Sequence, residues 1–153
     1  MAPATLVDVT PQTRADAAAA TRARLRRIAA EALICSDQAD EVVRDIRARV
    51  PLGQVAPRGG PLVRRFFGLR DELPSTCADP SEQHLRDWLD VILHHHAMLV
   101  SLAMDLLAYE WRSPAVAAQV DALDGMGSPA LELERIYAAL RESPTSTRPP
   151  SPA

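Results

Sequence analysis

Three consecutive histidines, His94, His95 and His96, stand inside the apolar stretch VILHHHAMLV. Imidazole ligates zinc and haem iron, so the triplet is the first place to look for chemistry. Its spacing argues against convergence. Neighbouring residues of a helix point about 100° apart, so the three rings fan over about 200° and cannot share one metal. A two-histidine helical site needs a separation of three or four residues, and the chain has no H-x-x-x-H pair. The carboxylate-bridged di-metal bundles use E-x-x-H pairs, also absent. The rings are therefore judged singly. His94 falls on the polar side with Asp90 and reads as a solvated ion pair. His95 and His96 flank the apolar arc and read as core or boundary residues, and His96→Leu is expected to be tolerated or mildly stabilising. No cofactor is expected. The alternative is a metal, haem or small-ligand site in which His95 and His96 act with Glu110, placed near the end of the same helix.

The densest basic segment is RGGPLVRRFFGLR, residues 58–70. It holds Arg58, Arg64, Arg65 and Arg70 together with Phe66 and Phe67, the only phenylalanines in the chain. Arginine beside exposed aromatics suits an acidic partner surface or stacked bases. The ordinary alternative is core phenylalanines among solvated arginines. A second cluster, RARLRR at 22–27, reads as a solvated helix face. Cys35 reads as packing, and Cys77 as a loop thiol without a basic neighbour to lower its pKa. No G-x-S-x-G and no G-x-G-x-x-G occurs.

Composition narrows the classes further. The 153 residues suffice for one domain with a core, and the net charge of −3 gives no general attraction to nucleic acid or anionic membrane. All 17 basic residues are Arg, which excludes lysine chemistry such as a Schiff base or P-loop. The lack of Lys and Asn, whose codons are AT-rich, fits a GC-rich bacterial genome. Charge is uneven: residues 1–79 carry 12 Arg against 10 acids, and residues 80–153 carry 5 against 10. Two cysteines make no disulfide framework, and no signal peptide or clean membrane span is visible, so a cytoplasmic location is expected.

These side chains must be positioned by helices, because no alternating strand pattern occurs. Residues 1–9 read as irregular. Thr10 caps a long helix that ends at Val50-Pro51. Its small and apolar positions Ala18, Thr21, Leu25, Ile28, Ala32, Cys35, Ala39, Val42 and Ile46 form a heptad-like seam. Off this seam, Leu33 and Ile34 suggest a second contact surface. Pro and Gly make 51–60 a loop, followed by a short helix over 61–73. The second long helix spans Pro80 to Trp111, with Ala97 and Met98 on its polar side and an apolar arc wide enough for contacts from several directions. Two shorter helices open on Ser113-Pro114 and Ser128-Pro129. The Pro- and Ser-rich 143–153 reads as a disordered tail.

The expectation is an all-α fold. Residues 10–142 form a single-domain helical bundle with two long antiparallel helices, a short connecting helix and two shorter C-terminal helices. The expected function is non-catalytic interaction or regulation through protein–protein contacts at Arg58, Arg64, Arg65, Phe66, Phe67 and Arg70. The partner is another protein, a second copy in a homodimer included; nucleic acid is the weaker alternative and a membrane is not expected.

Overall fold

The computed structural model describes residues 11–125 and 129–142. Thr10, Ser128, the segment 1–9 and the tail 143–153 lie outside the described residues. The fold is all-α. Five helices follow one another: α1 (Pro11–Arg47), α2 (Leu52–Asp71), α3 (Pro80–Ala108), α4 (Pro114–Gly125) and α5 (Pro129–Arg141).

The seam of α1 is its buried face. Leu25, Ile28, Ala32, Cys35, Ala39, Val42 and Ile46 are all buried, while Ala18 and Thr21 near the exposed start are half-buried. Ile34, off the seam, is 63% exposed. The helix ends in a Schellman turn: Val50 N–H donates to the Asp45 carbonyl (3.0 Å) and Arg49 N–H to that of Ile46 (3.0 Å). Arg49 adopts φ 62° there, and its guanidinium lies 4.4 Å from the Trp111 ring centroid.

The segment expected to be a loop, 51–60, is helical. Helix α2 starts at Leu52 and carries Pro57 and Pro61 inside it. Each proline removes an intrahelical hydrogen bond. Packing offsets the loss, because Val55, Gly59, Leu62, Phe66 and Leu69 step by four and three and are all buried. Gly59 is needed for contact rather than for a turn: the Met104 side chain occupies the space a Cβ would take.

This longer α2 changes the topology. Arg22 meets Glu82 and, 14 residues further along both helices, Ser36 meets His96, so α1 and α3 run parallel. The expected antiparallel pairing of the two longest helices is thus corrected. Helix α2 is the return leg between them. It crosses α1 through Asp45–Arg58 and Glu31–Arg65, and α3 through Phe66–His96 and Arg70–Asp90, running antiparallel to both. At about 1.5 Å per residue its 20 residues cover about 30 Å, enough for that leg.

Helix α3 is the centre, packed by each of the other four. Asp79 caps it by accepting from the Ser81 N–H (2.8 Å) and hydroxyl (2.6 Å), bonds that hold the Asp79 carboxyl below its usual pKa. It is the one helix among the described residues long and apolar enough to cross a membrane, yet Leu89, Leu93, Val100 and Ala103 are buried in the bundle core. Ala97, expected on the polar side, is fully buried. The helix stops at Ala108, with Glu110 and Trp111 at positive φ in a second Schellman turn. Ser113 caps α4 by accepting from the Val116 N–H (3.3 Å).

Candidate functional site

The three histidines tie α3 to three different helices. Arg70 of α2 donates to His94 Nδ1 (3.2 Å) while its other nitrogen holds Asp90 (2.5 Å). His95 Nε2 donates to the Leu123 carbonyl (2.9 Å) in the last turn of α4. His96 Nδ1 donates to the Ile92 carbonyl (2.8 Å), which leaves Nε2 to accept from the Ser36 hydroxyl of α1 (3.0 Å). The fan expected from helix geometry therefore serves as bracing between helices.

His96 and Ser36 have nucleophile–base spacing, but they are 3% and 1% exposed. The Phe66 ring stacks on the imidazole at 5.0 Å with 26° between planes. Burial lowers the His96 pKa below its usual value near 6.5; the Ile92 hydrogen bond opposes this and neighbouring His95 adds to it. The ring is thus held neutral, in one tautomer, with both nitrogens engaged.

A pH dependence follows. Below about pH 6.5 the unfolded chain takes up a proton at His96 that the folded chain refuses, so stability falls with acidification. Chemical unfolding at a series of pH values is expected to show a slope that is about half its maximum near pH 6.5 and approaches about 1.4 kcal/mol per pH unit at about a unit below it. His96→Leu removes that slope. It also costs about 1–2 kcal/mol at neutral pH, because the Ser36 hydroxyl loses its acceptor, and Ser36→Ala in the same chain recovers part of the loss. The sequence alone predicts a tolerated or mildly stabilising replacement; the Ser36 contact is the reason to expect a cost. An unchanged slope in His96→Leu assigns the dependence elsewhere.

Glu110 does not join the histidines. It lies past the end of α3, exposed, and accepts from Arg112 (2.8 Å). Its expected place within the end of that helix assumed a helix running to Trp111, whereas α3 stops at Ala108. Among the described residues, no three His, Cys, Asp or Glu side chains gather as a metal site. Burial is the main cause raising the pKa of both Cys35 and Cys77, which disfavours the thiolate, and Cys77 is half-buried rather than loop-exposed.

The Arg-Phe segment divides. Phe66 is fully buried, so its assignment to a partner-binding surface is corrected: it belongs to the core. Phe67 is 36% exposed and touches His94 edge-on. Three of the four arginines are engaged within the chain, Arg58 with Asp45 (2.5 Å), Arg65 with Glu31 and Arg70 with Asp90. Arg64 is exposed and has no ion-pair partner among the described residues.

The surface that the sequence reading missed is on α3 itself. His84, Trp88, Val91, His95, Met98 and Leu102 step by four and three along one face. At about 1.5 Å per residue they span about 27 Å. Helix α4 borders the second half of this stripe, forming a shallow open groove of about 420 Å³ lined by Val91, His94, His95, Met98, Leu102 and Leu123. A second hollow of about 380 Å³ at His84, Trp88 and Val91 continues it. Val91 is 62% exposed. In the sequence, Trp88, His95 and Leu102 fall within the wide apolar arc, where core-facing positions hide the stripe. Met98, expected on the polar side, is half-buried and lines the groove.

The chain matches no family model, no curated protein and no solved structure.

Proposed function

We propose that the chain is a non-catalytic helical interaction protein, working in the cytoplasm, that docks another protein on the exposed α3–α4 face. The observation that carries this reading is Val91, 62% exposed on the central helix at heptad spacing from the half-buried Trp88, Met98 and Leu102. A helix contacted on every other side normally has polar residues on its last face. Apolar residues kept there at heptad spacing serve a contact outside the chain. The segment 58–70 is the weaker surface, because most of its charge is neutralised internally and Phe66 is in the core. The same pairing weakens a nucleic-acid reading. Both free cysteines suit a reducing compartment.

The test compares two variants of the full chain expressed in its own host and examined by native mass spectrometry. Val91→Arg with Met98→Arg is expected to keep the helical content and lose a partner that the wild type carries in fixed stoichiometry. Arg64→Glu is expected to retain it. A partner retained by the groove variant overturns the reading.

A further inference from the structure

We infer that the occupant of the α3–α4 groove is an amphipathic helix of a different protein, with apolar residues at heptad spacing and Lys or Arg along its flanks. This rests on the docking role proposed above and adds the chemistry of the partner. The stripe fixes the shape. Five steps of four and three from His84 to Leu102 match the rows that one helix presents to another, over about five turns. The shallow concavity beside α4 gives such a helix an edge to lie against.

Charge fixes the flanks. Taking Val91 as zero at about 100° per residue, Asp87 and Asp105 both fall about 40° to the same side, one near each end of the stripe. Both are exposed. Arg86 offsets part of the charge on Asp87, and Asp105 has no ion-pair partner among the described residues. No arginine lines either hollow. The sequence from residue 80 onward carries twice as many acids as arginines, 10 against 5. A second copy laid on this face brings the same Asp87 and Asp105 and no arginine lining its own hollows, so self-pairing sets these carboxylates against like charge. A basic flank on a foreign helix meets complementary charge.

The probe is a synthetic amphipathic peptide of about 21 residues, with leucine at the a and d positions of three heptads and lysine at the flanks. A twin carries glutamate at the flanks, and a third peptide has the lysine composition with the leucines scrambled. Binding to the full chain is followed by fluorescence anisotropy at low salt. The lysine peptide is expected to bind at least about tenfold more tightly than the glutamate twin and the scrambled peptide. Asp87→Lys with Asp105→Lys is expected to reverse the lysine–glutamate preference, and Val91→Arg with Met98→Arg to abolish binding. Equal binding of the three peptides, or none, overturns the inference. So does a concentration-dependent dimer that disappears in the Val91→Arg, Met98→Arg variant, since that makes the occupant a second copy. The two readings fail separately: a native partner lost from the groove variant, with no discrimination among peptides, keeps the docking role and rejects this occupant.

Discussion

Arg22→Ala is expected to lower the free energy of unfolding by about 3–5 kcal/mol, measured by urea denaturation at neutral pH. Arg22 is the most heavily engaged arginine in the described structure. Its guanidinium donates to the Leu140 carbonyl (3.1 Å), the Ala139 carbonyl (2.8 Å) and the Glu142 carbonyl. These belong to the last turn of α5 and the residue after it, where helical carbonyls lack partners of their own. The same group faces the Glu82 carboxylate of α3 at 3.6 Å, and the Glu82 side chain is only 6% exposed. Removing Arg22 leaves a buried carboxylate uncompensated and the end of α5 uncapped. Two further variants separate these losses. Arg22→Lys keeps a charge near Glu82 but loses the planar fork, so it recovers only part of the stability. Arg22→Ala with Glu82→Gln removes the unpaired charge and recovers more than either partner's loss implies singly. A cost under about 1 kcal/mol for Arg22→Ala means that water replaces the guanidinium and that this corner is not a clamp.

Arg22 also marks what a sequence cannot display. It lies in RARLRR, where basic residues on a helix read as solvent-facing. Its carbonyl acceptors are 117 to 120 residues away, and nothing local announces them. Short-range signals were legible. The α1 seam from Leu25 to Ile46, the start of α3 at Pro80 and the Ser113 cap of α4 follow from spacing and capping chemistry alone. Helix α2 was half-legible, because Pro57, Gly59, Gly60 and Pro61 look like breakers one at a time. Val55, Gly59, Leu62, Phe66 and Leu69 hold the heptad step only if a glycine counts as buried, and that depends on Met104 filling the gap. The orientation of α3 depended on α2 in turn, so one misread loop also reversed the expected pairing of the long helices. The histidine triplet shows the opposite case: helix geometry alone separated the rings, while their partners on three helices were visible only after folding.

The second large effect separates two adjacent side chains that the sequence could not tell apart. Phe66→Ala is expected to destabilise the fold by about 3–5 kcal/mol, and Phe67→Ala by less than about 1 kcal/mol. Phe66 is fully buried and stacks on His96, so its loss opens a cavity against the imidazole. Phe67 is 36% exposed and makes only an edge contact with His94 at 6.2 Å. The pair also gives a readout that stability alone does not. Burial is the main cause lowering the pKa of His96, and the Phe66 ring supplies part of that burial. Water entering the Phe66→Ala cavity moves the His96 pKa back toward its usual value. The stability difference between protonation states then shrinks, and the slope below pH 6.5 flattens. Phe67→Ala leaves the slope as it is. A steep slope retained in Phe66→Ala means that the neighbouring side chains close over His96 without the ring, and its low pKa then belongs to the Ser36 side of the core.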